Sequence, residues 1–468
     1  MKQLRWIIAL AAVAVILTVV FIFVDKKDKE KKQKAEIGKG RQLWSIDSKT
    51  VCRITIDNDE GHFCFDWDEV NKVWKLTSAD QFNLNTYAVA SICNYICNVS
   101  TQKTIEFNAA NPDIYGFDNP VEIRVYTEST DNKPYLLKVG DPTPTNDGFY
   151  VMTENSPDVC TVDYTTGGIF CVSKNTLKDN HFFNSLSSLI SYYKVEKKGE
   201  DTLEIVRKED YSWELKQPAP LRLMKSEVDN LFDIIVRVLL QNYVEENPQD
   251  LAKYGLDDPW AKVTIRDQAN VPRSGEIWLG DPVSDDPNEK DIYGYFVKSK
   301  EVFRIQRADV FFLNNKLDEY VNPYCYPTDI ADLTQIDIDM GSVYAMKETL
   351  HLDYANKQYS LGSTDITALN DDRISTLFQN LYRAVSTIAF SELDIHAEPS
   401  PDDPVMTFTY HYKDGHTGVM SFTKKADNNF YCFKDGVYTG MTVRLNHFTT
   451  QGGIVPSWET LKEALAGK

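Results

Sequence analysis

Two short aspartate-bearing turns come nearest to chemistry in this chain. Gly140-Asp141-Pro142 returns as Gly280-Asp281-Pro282. Tyr115-Gly116-Phe117-Asp118-Asn119-Pro120 returns as Tyr254-Gly255-Leu256-Asp257-Asp258-Pro259. An aspartate held in a tight loop is a candidate ligand for a hard cation such as calcium. Asp285, Asp286, Glu289 and Asp291 place more carboxylate beside the second copy, but without the spacing of an EF-hand loop. The plainer reading is turn geometry. Glycine admits a left-handed backbone, proline stops a helix, and Asp118 and Asp257 are expected to hydrogen-bond within their own turns. On that reading Asp141 and Asp281 shape hairpins and hold no metal.

Other reactive residue types are scattered. The seven histidines include no His-Glu-x-x-His pair, and no nucleophile elbow, phosphate loop or Gly-x-Gly-x-x-Gly run occurs. Cys93 and Cys97 share one face of a predicted helix but lack further ligands at metal-site spacing. The eight cysteines are read as buried thiols, with Cys52–Cys64 and Cys160–Cys171 as alternative bridges. A carboxylate pair for glycoside hydrolysis is set by the fold and is not legible here. In a repeated protein an active site is expected as a departure from the repeat, and no departure of catalytic type is visible. No catalytic, cofactor-binding or metal residue is therefore assigned. The aromatic run Tyr320-Val321-Asn322-Pro323-Tyr324-Cys325-Tyr326-Pro327 is the stronger functional lead, either fastening neighbouring units or meeting a partner.

These residues are positioned by a repeated element pattern. The Tyr-Gly turns lie 139 residues apart and the Gly-Asp-Pro turns 140, so one folding unit is written twice. Asp402-Asp403-Pro404 marks a third, worn copy, which lacks both the Tyr-Gly pair and the Gly-Asp-Pro turn. Each copy opens with alternating strand patterns such as Arg53–Ile56, Leu203–Val206 and Thr349–Tyr354. An amphipathic helix follows, clearest in Val228, Leu231, Phe232, Ile235, Val238 and Leu239, with Ser226, Asn370 and Asp371 as N-terminal caps. After the turn come four more strands, and helices near 177–189, 310–320 and 458–464 are expected to close the units. The expected fold class is α+β: an N-terminal transmembrane helix, then three modules, each a mainly antiparallel sheet with a packed helix. Boundaries follow at 42–187, 188–327 and 328–468.

Residues Trp6 to Val24 are apolar apart from Thr18, and nineteen helical residues span about 28 Å, the thickness of a bilayer core. They predict a transmembrane anchor within residues 1–24, followed by a charged, solvated stalk over 25–41. The lysines at 26, 27, 29, 31, 32 and 34 pull toward the cytoplasm, but a short N-terminal signal anchor favours an exported domain. The expected location is thus the cell membrane, single-pass, with the large domain outside. About 430 residues follow, enough for two to four domains, and a net charge of −19 argues against nucleic acid as a partner.

The anchor, the Trp-bearing strand, the helix, Asn111-Pro112 through Pro120 with Val139 through Val151, and Asn247-Pro248 through Pro259 with Leu279 through Val297, together resemble a bacterial family. It is the domain of unknown function numbered four thousand three hundred and forty. The resemblance covers the first two units well and the third weakly. It implies a membrane-anchored, extracytoplasmic protein that accompanies the permease or substrate-binding-like parts of gliding-motility-type ABC transporters, and it supplies no catalytic residues. The expected function is a non-enzymatic accessory subunit of an envelope ABC transport system. A cell-wall glycan-binding module is the alternative, and a carboxylate-pair glycosidase the third.

Overall fold

The computed structural model describes residues 2–79, 82–129, 133–269, 272–286 and 288–467, with side chains from residue 14 onward. It is an α+β structure whose sheets are antiparallel. Two compact units are delimited. One comprises Met1–His181, Leu240–Gln249 and Ser299–Phe303; the other comprises Phe182–Leu239, Asp250–Lys298 and Arg304–Lys468.

Three large sheets carry one topology. In the first, the strands in chain order are Val51–Asn58, Gly61–Asp68, Val73–Leu76, Lys103–Glu106, Val121–Thr127, Tyr135–Pro142, Gly148–Thr153 and Ser156–Asp163. Their order across the sheet is third, second, first, fifth, sixth, seventh, eighth, fourth. The second sheet, from Ile190–Lys197 to Glu301–Gln306, has the identical order. The third, from Leu333–Asp339 to Val437–Arg444, repeats it and adds a two-residue strand, Thr364–Asp365, at one edge. The worn third copy therefore keeps the whole topology although it has lost both motifs.

The pattern is richer than the sequence suggested. In the second copy the strand Ile190–Lys197 precedes the pattern at Leu203–Val206, pairing on one side with Leu203–Arg207 and on the other with Ala261–Asp267. A further strand follows each helix and becomes the far edge: Lys103–Glu106, Asn242–Glu246 and Glu392–Leu393. These segments are short and show no clear alternation, so periodicity missed them.

Burial follows strand parity. In the first compact unit Ile54, Ile56, Phe63 and Phe65 point inward and are almost wholly buried. The helix Thr86–Cys97 lays Val89, Ile92, Cys93, Ile96 and Cys97 into the same core. Each large apolar side chain so buried contributes about 1.5–3 kcal/mol. Asn85 caps this helix by accepting from the Ala88 N–H at 3.1 Å.

In the second compact unit the helix Lys225–Ile235 buries Val228, Leu231, Phe232 and Ile235. It starts after Met224 with no side-chain cap, so Ser226 lies inside the first turn and is not the cap the sequence suggested. Leu239 falls beyond the helix end and is 44% exposed. The helix Asp372–Ser386 is capped by Asp371, which accepts from Arg373 N and Ile374 N, while Asn370 turns the chain with φ 47°. The terminal helix Ile454–Ala466 packs against it.

One further expectation is corrected. Residues 178–189 hold no α-helix, only a 3-10 turn at Ser187–Leu189; the short helices lie earlier, at Tyr164–Phe170 and Lys174–Leu177. The charged stretch after Val24 continues one α-helix that runs from Lys2 to Glu36, its side chains largely exposed, with Lys29 and Asp25 paired one turn apart at 2.7 Å. The side chains of residues 6–13, part of the expected anchor over 6–24, lie outside the described set. Among the described residues no helix is long and apolar enough to cross a membrane.

Candidate functional site

The two repeated turns are one structure. Tyr115 ends a short 3-10 turn and Gly116 follows with φ 83°, its N–H donating to the Asp113 carbonyl at 3.0 Å. A Cβ on Gly116 would stand 2.5 Å from the Asp141 backbone nitrogen, and one on Gly140 would collide with the Tyr115 carbonyl. The second copy does the same. Gly255 has φ 64°, a Cβ there would stand 2.5 Å from Asp281 Oδ1, and one on Gly280 would strike the Tyr254 carbonyl. Gly116, Gly140 and Gly280 are required by close approach of two backbones, and Gly255 by the close approach of the Asp281 carboxylate, not only by turn type.

The flanking residues seal that contact. The pairing of strands shifts by one residue between Val139 and Pro142, and again between Leu279 and Pro282, so each Gly-Asp pair sits in a bulge. Tyr115 packs on Tyr150 with ring centroids 4.8 Å apart and donates its hydroxyl to Glu106 at 2.9 Å. Tyr254 packs on Tyr293 at 4.7 Å. Asp118, Asp141, Asp257 and Asp281 are exposed, as is Asp258, which pairs with Lys198 at 2.6 Å. Among the described residues neither the Asp118 nor the Asp257 carboxylate takes a hydrogen bond, so the expected bond within the turn is not made; backbone bonds hold it. Pro120 and Pro259 lie just before the fifth strands, Val121–Thr127 and Ala261–Asp267. Among the described residues no group of three or more His, Cys, Asp or Glu is placed to hold a metal ion.

In the third copy Asp402-Asp403-Pro404 leads into the strand Met406–Tyr412, the place of the fifth strand. The bulge persists between Lys424 and Ala426, but Lys425 reaches Asp394 at 2.6 Å where the other copies bring glycines together. An ion pair has taken over the position of a backbone contact.

A departure from the repeat appears in the first compact unit, where the sequence showed none. Residues 177–180 run as a strand-like linker, with Asn85 N donating to Leu177 O at 2.8 Å, Asp179 N to Asn83 O at 2.7 Å and Leu240 N to Asn180 O at 2.7 Å. The second compact unit repeats this wall with residues 320–325. Met224 N donates to Tyr320 O at 2.8 Å, Asn322 N to Arg222 O at 2.8 Å and Cys325 N to Ile388 O at 2.9 Å. The position of buried Val321 in one linker is Lys178 in the other. Lys178 is 3% exposed, and its ammonium lies 2.7 Å from Glu301, 2.6 Å from Glu246 and 4.4 Å from the centre of the Tyr243 ring. Glu301 is 1% exposed and neither carboxylate oxygen receives a well-aligned hydrogen bond, so the attraction is ionic. Burial, with Glu301 and Asp179 nearby, pushes the Tyr243 hydroxyl well up, and it donates to the Asp179 carbonyl at 2.5 Å. This cluster has the composition of a structural charge network, with each ion facing an opposite one.

The aromatic run acts as a fastener. Tyr320, Val321, Cys325 and Tyr326 are buried, and Tyr326 stacks on Tyr410 at 4.7 Å. Tyr324 alone of its tyrosines is open, at 39%. The run forms the back of two clefts, of about 940 and 630 Å³, which share Arg222. Lys178, Glu301 and Arg222 carry no sequence signal, because single charged residues between apolar ones look like ordinary surface.

The family described as a domain of unknown function (DUF4340) matches residues 74–231 and again residues 213–405. The matches begin at Trp74 and Trp213, which stand 139 residues apart like the Tyr-Gly turns and are both buried. Together they span more than two thirds of the chain, which belongs to this family. No curated protein and no solved structure matches it.

Proposed function

We propose that this DUF4340 family member is a non-enzymatic, membrane-anchored accessory protein of a bacterial envelope ABC transport system, with its sheet modules outside the cytoplasm as an interaction surface. The observation that carries the reading is the use made of the repeated residues. Tyr115, Gly116, Gly140 and Asp141, and their counterparts Tyr254, Gly255, Gly280 and Asp281, are spent on packing the Tyr-Gly turn against the Gly-Asp bulge. What they preserve is a shape.

The apolar run Trp6–Val24 within the helix Lys2–Glu36 supports tethering. The association with a permease or substrate-binding-like subunit rests on the family resemblance. Affinity purification of the full-length chain from solubilised native membranes tests it. Recovery of a permease or ATPase of such a system, at a level comparable to the chain itself, is the expected result. Recovery of the chain alone, under conditions that keep other membrane complexes intact, overturns it.

A further inference from the structure

We infer that the cleft between Arg222 and Arg383 in the second compact unit is a binding site for an acidic sugar, whose carboxylate or phosphate is gripped by the two guanidinium groups. The inference stands apart from the transport reading, which makes no use of this cleft.

The cleft has a volume of about 630 Å³, the size of a small-ligand site, and its lining includes Arg222, Arg383, Tyr324, Thr328, Ser386 and Thr387. The two arginines reach it from different modules: Arg222 precedes the helix Lys225–Ile235, and Arg383 lies on the helix Asp372–Ser386. The chain carries 69 acidic against 50 basic residues, so carboxylates are plentiful. Yet among the described residues the Arg222 side chain makes no ion pair or hydrogen bond, and the side chain found interacting with Arg383 is the phenol of Tyr382. The one carboxylate in the lining, Asp329, accepts from the Ala331 N–H at 2.9 Å. Two arginines that line one cleft and lack a carboxylate partner in an acidic protein are suited to a carboxylate or phosphate.

The rest of the lining selects the carrier of that charge. The Tyr324 ring is open, and the backbone N–H of Tyr324 donates to Asn322 Oδ1 at 3.0 Å. It offers an apolar face with a polar rim, as a pyranose requires. The hydroxyls of Ser386 and Thr387 donate to the Arg383 carbonyl at 3.1 and 2.7 Å, which leaves their oxygens as acceptors for sugar hydroxyls. An extended acidic peptide is disfavoured, because the local strand edge is already paired. Tyr324 bridges Ala389, and Phe390 N donates to Pro323 O at 2.9 Å. Arg222 also lines the neighbouring 940 Å³ cleft, where Lys208 and Lys225 stand beside Asp210 and Glu214, so the anion is expected in the smaller cleft.

Titration calorimetry on the detergent-solubilised full-length chain tests this with four probes: a galacturonic acid trisaccharide, mannose 6-phosphate, neutral maltotriose and a tetraglutamate peptide. At least one acidic sugar is expected to bind about tenfold or more tightly than maltotriose and the peptide, and the stronger of the two names the anion. Arg222→Gln and Arg383→Gln are each expected to weaken it about tenfold, with unfolding midpoints unchanged because both residues are exposed. Arg222→Lys, which keeps charge without the fork, should fall between. Equal binding of maltotriose, preference for the peptide, absence of acidic-sugar binding at millimolar concentration, or full affinity in both glutamine variants would each overturn the assignment.

Discussion

Gly116 lies against Asp141 so closely that a single added carbon would stand 2.5 Å from the Asp141 backbone nitrogen. Gly255 faces Asp281 as closely in the second copy, but there an added carbon would stand 2.5 Å from the carboxylate oxygens and not from the backbone. Gly116→Ala should cost about 2 kcal/mol, from positive φ and backbone overlap together, and Gly255→Ala less, because the Asp281 side chain can turn away. Gly199→Ala is the control: its φ is 73° but nothing lies within 4 Å, so its cost should be the smaller. Urea unfolding measures all three, and equal costs would mean that close approach is not the reason for these glycines.

Adjacent glycines in the helix Tyr164–Phe170 should respond in opposite directions. A Cβ on Gly167 would overlap the Phe149 ring, whereas one on Gly168 meets nothing within 4 Å. Gly168→Ala should stabilise by about 0.5–1 kcal/mol through helix propensity, and Gly167→Ala should destabilise. Thermal unfolding of the two variants checks the sign of each.

Breaking the buried pair should cost more than removing it. Lys178→Met strands the Glu301 carboxylate, and Glu301→Leu takes from the ammonium its buried counter-ion, leaving it half-exposed Glu246 and the Tyr243 ring. Each single change should cost about 3–5 kcal/mol, and the double variant less than their sum. A double-mutant cycle by denaturant titration reads the coupling; additive losses would mean the ions do not stabilise one another.

Acid should weaken the first compact unit. Burial raises the Glu246 carboxyl, but hydrogen bonds from Lys174 and Lys178 lower it further, and the net shift is below its ordinary 4.5. Asp158 is likewise raised by burial and brought below 3.8 by Asn108 N–H, Ser156 and Arg41. A carboxyl depressed in the folded state adds stability that is complete above its unfolded value and is lost as pH falls through its folded value. Unfolding midpoints should therefore stay level from neutrality to about pH 5 and fall below about pH 4. Glu246→Gln should flatten that fall.

The eight cysteines are free. Cys52 is exposed, while Cys93, Cys97, Cys160, Cys325 and Cys432 are buried. Burial pushes the Cys171 thiol up to about 11, and the Cys93 thiol is raised by its hydrogen bond to Cys97 and by burial. Mass spectrometry after native alkylation should show Cys52 modified first, and denaturation without reductant should expose all eight. Any thiol that stays blocked would mark a bridge.

The architecture was legible where a period or an offset was long enough to stand above chance. The stripe Val228, Leu231, Phe232 and Ile235 marked a helix, and the doubled turns marked the repeat, because backbone collisions leave glycine at fixed places. Edge strands such as Asn242–Glu246 were hidden, since five residues of mixed polarity show no face. The third copy was underestimated because an ion pair, Lys425 with Asp394, replaces the glycine contact and leaves no motif behind. The clefts were illegible: Arg222 and Arg383 lie far apart in sequence and meet only through the wall that residues 320–326 build.

The transport reading places the modules outside the cytoplasm, so sidedness is the claim on which it turns. Exposed Cys52 reports it directly. A membrane-impermeant maleimide applied to intact cells should label the chain at Cys52 as fully as it does after lysis, and Cys52→Ser should abolish the rapid signal. Labelling that appears only after the cells are broken would put the domain in the cytoplasm and contradict the account.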